Sequence, residues 1–382
     1  MVKTDFTQLI ISSQNLIHNY NYFKSKLKPQ TKLLVLIKAN SYGHGAIEIA
    51  KILEKENVDY FGIAHPIEGI ELRKAGITTP ILVLTAGLDH FNDITSYKLT
   101  PSIPSIESLK LFNEYTINNN IKNYPIHIKI DTGMHRLGFM NKQIDELCNF
   151  LSSKECNIKV EGVFSHFAAS DEPQHDSFTL GQIDLYKRIS DRIEECLKYK
   201  FTRHILNSAG IERFSEYQFD MVRLGIGIYG ISSIDQSLLK PIIRLESKII
   251  QIKELDSSDG TVGYGRRSTI ISPTKIATIA LGYADGIDRH LGRGNAKFCV
   301  NGKLAPTIGN ICMDMCMIDI TDMPSVDVGS EVEIFGEKNS IDELASIAGT
   351  IPYELTCAVS KRVPRVYYRD GQIIEKELML RM

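Results

Sequence analysis

A lysine closes a run of apolar residues at Leu33-Leu-Val-Leu-Ile-Lys38. The five apolar residues read as a strand buried on both faces. A turn with two glycines follows at Gly43-His-Gly45, and then a helical pattern through Ala46, Ile49, Ala50 and Leu53. A lysine at the tip of a core strand is partly desolvated, which lowers its pKa and makes its amine a nucleophile toward carbonyls. The chemistry this invites is a Schiff base between Lys38 and a carbonyl cofactor. The competing reading is a strand-end lysine that snorkels to solvent, and the strand–lysine pattern alone favours that reading.

Other chemically capable residues sit at the ends of other apolar runs. Ile126-His-Ile-Lys129-Ile-Asp131 alternates, so its isoleucines share one face and His127, Lys129 and Asp131 the other. Inside a barrel, Lys129 would need a partner or would lose its charge. Asp131-Thr-Gly-Met-His-Arg136-Leu-Gly supplies nearby charges, and a structural ion cluster fits as well as a functional one. Val163-Phe-Ser ends in His166, a position that is more often structural than catalytic. Leu206-Asn207-Ser208 and Met221-Val-Arg223-Leu-Gly225-Ile226-Gly follow. Glycines near a strand end let backbone N–H groups approach a phosphate, or simply pack a barrel corner. Gly263-Tyr264-Gly265 flanks a tyrosine with glycines, which is also an ordinary turn. Tyr283, Met313 and Tyr353 stand in Leu281-Gly-Tyr283-Ala-Asp-Gly286, Gly309-Asn-Ile-Cys312-Met313-Asp314 and Pro352-Tyr353.

Positioning these groups takes a regular scaffold. Up to about residue 230, eight candidate strands alternate with helical patterns: Leu33–Lys38, Tyr60–Ala64, Ile81–Thr85, Pro101–Pro104, Ile126–Asp131, Val160–His166, His204–Asn207 and Val222–Tyr229. The fourth carries two prolines and is the weakest. Eight such units predict a TIM-like (β/α)8 barrel over residues 1–240. An open doubly wound sheet is the alternative, but no Gly-x-Gly-x-x-Gly turn follows the first strand. After Lys240-Pro241 the texture changes to alternating strands at Ile242–Leu255, Lys275–Leu281, Lys297–Val300, Met315–Ile320 and Glu331–Phe335, with a helix near Ile341–Ala348. Residues 241–382 are therefore expected to form a mainly β C-terminal domain.

Composition narrows the function classes. The formal charge of −2 over 382 residues, without runs of like charge, gives no electrostatic support for nucleic-acid or membrane-surface binding. No apolar run is long enough to span a bilayer, and Met1-Val-Lys-Thr-Asp-Phe-Thr-Gln reads as lacking a signal peptide. Seven cysteines without a disulfide or zinc spacing point to a reduced cytoplasm and to no metal.

The combined motifs resemble the bacterial alanine racemases, PLP-dependent enzymes of fold type III, across nearly the whole chain. Val35-Leu-Ile-Lys38-Ala-Asn-Ser-Tyr42-Gly-His-Gly45 is similar to their pyridoxal phosphate (PLP) lysine motif, with Ser41 where alanine is commoner. The resemblance implies that Lys38 anchors PLP and that Tyr42, Ser208, the backbone of Gly225 and Ile226, and Tyr353 hold its phosphate. It places His166 beside the pyridine ring, counts Asn207 with the cofactor residues, and sets Arg223 against the ring nitrogen. It gives Arg136 the phenolic oxygen and the substrate carboxylate, adds the Met313 backbone near that carboxylate, and makes Tyr283 and Tyr353 narrow the entrance. Lys129 matches a position that is carbamylated in many members. Lys38 and Tyr264 would be the two bases of a racemisation, one on each face of the substrate Cα. The tyrosine would come from a neighbouring subunit, so a homodimer with shared active sites is expected, acting on a small amino acid and supplying D-alanine for peptidoglycan.

Two other enzymes and a carrier compete. A serine or broad-specificity racemase would share the fold, and discrimination by a single methylene is modest. A PLP-dependent amino-acid decarboxylase would place a cysteine, not Tyr264, opposite the lysine. A PLP carrier would resemble the barrel alone, without the region after residue 240.

Overall fold

The computed structural model describes residues 6–377, so the reading of residues 1–5 lies outside it. The chain forms two compact units. One, comprising residues 16–41 and 46–240, is a barrel. Its strands are β2 (Lys32–Leu36), β3 (Tyr60–Ile63), β4 (Ile81–Val83), β5 (Thr100–Ile103), β6 (Tyr124–Lys129), β7 (Ile158–Phe164), β8 (Thr202–His204) and β9 (Met221–Leu224). From β3 to β8 each pairs in parallel with its predecessor, and β9 pairs in parallel with β2, with Lys32 opposite Met221 and Val35 opposite Leu224. Backbone bonds from Asp220 N to Arg203 O and from Arg223 N to Leu206 O close the ring between β8 and β9.

The local sequence accounts for these elements. The helix Ala46–Lys55 buries Ile49, Ala50 and Leu53, one stripe of a 3.6-residue period. On β6 the expected division holds: Ile126, Ile128 and Ile130 are buried, while His127 turns to a histidine of β8. The eighth strand is shorter than expected. It stops at Leu224, and Ile226–Tyr229 is a 3-10 turn ended by Gly230 at φ 83°. Pro101 is accommodated inside β5, whose pairing with β4 spans two residues.

The other unit holds β1 (Gln8–Ser12) and most of the chain after Pro241. Its strands are β10 (Ile243–Leu255), β11 (Thr261–Val262), β12 (Ser268–Thr269), β13 (Thr274–Ile279), β14 (Lys297–Val300), β15 (Lys303–Ile308), β16 (Cys316–Asp319), β17 (Glu331–Phe335), β18 (Arg365–Arg369) and β19 (Gln372–Glu377). Nine of the unit's strands form a sheet in the order β13-β16-β15-β14-β17-β10-β1-β18-β19, and β11 with β12 makes a separate ribbon. Asn301-Gly302 turns β14 into β15 with both φ angles positive, as a two-residue hairpin loop requires. The helix Ile341–Ala348 is present, and a second, unexpected one follows at Pro352–Ala358.

The expected division at residue 240 needs correcting at two places. β1 leaves the barrel because it pairs antiparallel with β10 and parallel with β18. Tyr42–Gly45 also clusters with the second unit. There the buried Arg365 donates to Gly43 O at 2.9 and 3.0 Å, and Tyr367 Oη donates to His44 O at 2.8 Å. Among the described residues no helix is long and apolar enough to cross a membrane.

Candidate active site

Lys38 stands two residues beyond β2, at the C-terminal mouth of the barrel, where barrel enzymes gather their chemistry. It is followed by an unusual backbone. Ala39, Asn40, Ser41 and Tyr42 all adopt left-handed φ angles of 51°, 54°, 57° and 53°. A left-handed conformation costs roughly 1–2 kcal/mol per ordinary residue, so this turn must be held by its surroundings. Glu68 accepts from Ala39 N at 2.6 Å, Asn40 Oδ1 from Ala46 N at 2.9 Å, and Ile37 O from Ser41 N at 2.8 Å.

Arg223, on β9, is 2% exposed and has no acidic partner among the described residues. One terminal nitrogen reaches His204 Nδ1 at 2.8 Å and His204 O at 3.1 Å. The other reaches Ser165 O at 2.5 Å, Ile205 O at 3.1 Å and His166 Nδ1 at 3.2 Å. His204 Nε2 in turn meets His127 Nδ1 at 2.9 Å. Burial pulls the guanidinium down to about 10, still a cation at neutral pH. Burial, then Arg223, holds His127 down to about 3 and His166 and His204 well below the usual imidazole range. The terminal N–H groups of Arg223 are thus committed, and its Nε–H is the donor left without an acceptor among the described residues.

Lys129 lies inside the barrel, with its ammonium 5.5 Å from the Phe164 ring centroid. Burial, then the Arg223 and Arg136 guanidiniums, pull its pKa down to about 8. Asp131 does not rescue it by an ion pair. Its carboxylate accepts from Gly133 N, His135 N and His135 Nδ1 at 3.0–3.1 Å. Against the opposing effect of burial, these bonds keep the Asp131 carboxyl below its usual range. Arg136 is exposed and has no ion-pair partner among the described residues. Lys38, Lys129, Arg136 and Arg223 therefore make this end of the barrel electropositive, and the Asp131 carboxylate is occupied by its own loop.

Asn207 and Ser208 begin the short helix after β8. Asn207 Oδ1 accepts from Gly210 N and Ser170 Oγ at 2.8 and 2.9 Å, so its side-chain oxygen holds the loop. Ser208 Oγ accepts from Gly225 N at 2.9 Å and Gly227 N at 3.3 Å. Gly225 N–H is therefore spent on Ser208 rather than standing open, and the serine O–H becomes the outward donor of this turn.

The second unit assembles the remaining expected residues. Tyr42 and Tyr353 place their ring centroids 6.0 Å apart. Burial, with Tyr353 and Cys357 adding to it, pushes the Tyr42 phenol well above its usual range, so it stays a donor. A Cβ on Gly43 would come within 2.1 Å of Thr356 O, which is why the Pro352–Ala358 helix can pack on that backbone. Tyr283 N donates to Cys312 O and Ala284 N to Met313 O, each at 3.0 Å. Tyr264 sits at the tip of the β11–β12 ribbon between Gly263 and Gly265, at φ 73° and 71°, and Asn310 Nδ2 holds its carbonyl at 2.6 Å. The residue is 74% exposed. Asn310, His204 and Arg365 were not singled out by sequence reading, and His127 was placed on the polar face of an alternating strand without a role.

The residues at the barrel mouth suit a planar anion that carries a phosphate and a ring nitrogen able to accept. Arg223 offers one spare buried donor, Ser208 an O–H and Lys38 an amine. Two family models match: "Alanine racemase, N-terminal domain" over residues 11–233 and "Alanine racemase, C-terminal domain" over residues 242–367. The alanine racemase of Clostridium kluyveri is 38% identical over 377 residues, covering 96% of this chain and 95% of the relative. The solved alanine racemase of Clostridium difficile 630 superposes with a TM-score of 0.92 at 37% identity, covering 99% of each chain. That of Bartonella henselae, described with covalently bound pyridoxal phosphate, superposes with a TM-score of 0.87 at 26% identity over 96% of this chain and 100% of the other.

Proposed function

The chain belongs to the alanine racemase family, and from that membership we propose that Lys38 and Tyr264 are the two bases of its reaction. The enzyme interconverts L- and D-alanine with pyridoxal phosphate as cofactor and supplies D-alanine for peptidoglycan. When bound, the cofactor supplies the electron-withdrawing ring that acidifies the substrate Cα–H.

The barrel and the second unit contribute different parts of the work. Lys38 anchors the cofactor and moves a proton at one face of Cα. Ser208 O–H, Ile226 N–H and the Tyr42 and Tyr353 phenols hold the phosphate, with Gly225 acting through Ser208 and Asn207 fixing the loop. Arg223 donates Nε–H to the ring nitrogen, and His166 lies beside the ring. Arg136, with no ion-pair partner among the unmodified described residues, receives the substrate carboxylate, and the Met313 backbone lies near it. Tyr283 and Tyr353 narrow the entrance, which favours alanine over larger side chains. Lys129, with an amine neutral for much of the time near pH 8, is carbamylated and then pairs with Arg136 as an anion.

Tyr264 serves the other face from a second copy of the chain, in a homodimer with shared active sites. The support for that is its exposure at a ribbon tip, in a unit that also leaves Met313 55% and Ile351 57% exposed. We place the enzyme in the cytoplasm because the seven cysteines are thiols rather than disulfides.

The observation that carries this reading is the buried Arg223 with one uncommitted donor, in the same barrel mouth as the strand-end Lys38. Purification followed by a visible spectrum and a chiral assay tests it. A coloured protein, bleached by borohydride, that converts D-alanine to L-alanine is expected. A colourless protein, or one that leaves the alanine Cα proton unexchanged in heavy water, refutes it.

A further inference from the structure

Two hydroxyls bracket Lys38 on both sides of the chain. Tyr229 Oη donates to Leu36 O at 2.7 Å, at the end of β2. Tyr229 has a single phenolic hydrogen, so the 2.7 Å contact between Ser41 Oγ and Tyr229 Oη has Ser41 donating and the phenol accepting. Ser41 is 0% exposed and Tyr229 1%, so neither hydroxyl exchanges this bond for water. The residue two before Lys38 and the residue three after it are thereby tied to one phenol. Ser41 is also the third residue of the left-handed run, where its backbone sits at φ 57° and ψ 48°. The resembling family motif more commonly has alanine at this position, which cannot make the bond.

We propose that Ser41 is a positioning residue of the reaction: its hydroxyl, through Tyr229, holds the left-handed turn that aims the Lys38 amine at the cofactor carbonyl. The proposal rests on the reading of Lys38 as the cofactor anchor. Without the hydroxyl, the backbone after Lys38 keeps its conformational penalty and loses a buried tie that offsets it. The lysine then samples orientations that do not meet the carbonyl, so capture slows although no cofactor contact has been removed.

The test uses the full-length protein stripped of cofactor, with pyridoxal phosphate as the probe. Capture is followed by absorbance, and the handed placement of the bound ring by visible circular dichroism. Ser41→Ala is expected to capture the cofactor roughly fivefold more slowly, the net value of one hydrogen bond expressed as a ratio, with reduced visible ellipticity. Ser41→Gly also lacks the hydroxyl but enters the left-handed region freely, so its loss is expected to be smaller. Tyr229→Phe removes both ties and should be slowest. Thermal midpoints of the apo-proteins identify any variant that has not folded. Wild-type capture rate and ellipticity in a folded Ser41→Ala protein overturn the proposal. Failure of the underlying reading looks different: borohydride reduction then labels no peptide containing Lys38, whatever stands at position 41.

Discussion

His204 Nδ1 lies 2.8 Å from a terminal nitrogen of Arg223, and a guanidinium can only donate. That ring nitrogen must therefore accept, which puts the His204 proton on Nε2. The Nε2–H faces His127 Nδ1 at 2.9 Å, so His127 is also an acceptor at Nδ1 and carries its proton on Nε2. His166, accepting from Arg223 at its own Nδ1, follows the same rule. One permanently charged side chain sets three tautomers.

Nitrogen-15 spectra of histidine-labelled protein should accordingly show three neutral imidazoles protonated on Nε2 at pH 6, where exposed histidines are largely charged. A doubly protonated, charged ring at any of positions 127, 166 or 204 at that pH contradicts the assignment.

The same buried imidazoles couple stability to acid. His127 is held down to about 3 in the fold, against about 6.5 when unfolded. Between these values the unfolded chain binds a proton that the folded one refuses, so stability is full above about 6.5 and falls as the pH drops toward 3. Thermal midpoints should decline steadily from pH 7 to pH 4. Replacing His127 with glutamine should flatten the decline, and an unchanged slope would remove His127 as its source.

Arg223→Glu tests the ring-nitrogen contact, with a complication that the structure makes plain. The new carboxylate would face the carbonyls of Ser165, His204 and Ile205, so the variant is expected to be much less stable, by roughly 3–5 kcal/mol as for other broken buried polar networks. In the fraction that folds, a carboxylate partner lets the ring nitrogen hold a proton and become a stronger electron sink. The ratio of pyruvate formed to alanine racemised should rise, and a ratio equal to wild type argues against the contact.

Carbamylation of Lys129 is directly observable. At a pKa of about 8, the amine has a substantial neutral fraction at pH 8 and can take up carbon dioxide. Protein equilibrated with 13C-bicarbonate should show a carbamate resonance that disappears on acidification and is absent from Lys129→Ala. Its absence at pH 8 would leave Lys129 an unmodified amine.

If Tyr264 acts in a second copy's site, two inactive proteins should rescue one another. Lys38→Ala and Tyr264→Phe, each without racemase activity as a homodimer, should regain activity when unfolded together and refolded. Mixed dimers contain one site with both bases. No recovery, with mixed dimers confirmed by mass, would place both bases on one chain.

Much of the scaffold was legible because local pattern and final structure agree. The apolar run before Lys38, the alternation on β6 and the helix stripe of Ala46–Lys55 need no knowledge of distant residues. β1 was missed because Gln8–Ser12 is short and its partners, β10 and β18, lie more than two hundred residues away. Pro306 inside β15 hid that strand in the same way. The left-handed turn was illegible for another reason: Ala39 and Ser41 have no preference for the conformation they adopt, and only buried partners impose it. The two-histidine support of Arg223 joins residues 77 positions apart, a pairing that no single-strand pattern encodes.

That turn also sets a trap for protein engineering. Glycine at position 39 would relieve about 1–2 kcal/mol of left-handed cost while adding about 0.5–1 kcal/mol of unfolded-chain entropy. A selection for heat resistance alone would therefore accept it. The winner would be a sturdier protein whose lysine turn is held by backbone preference rather than by buried ties, so a thermostability screen of this chain needs a cofactor-retention readout beside its melting curve.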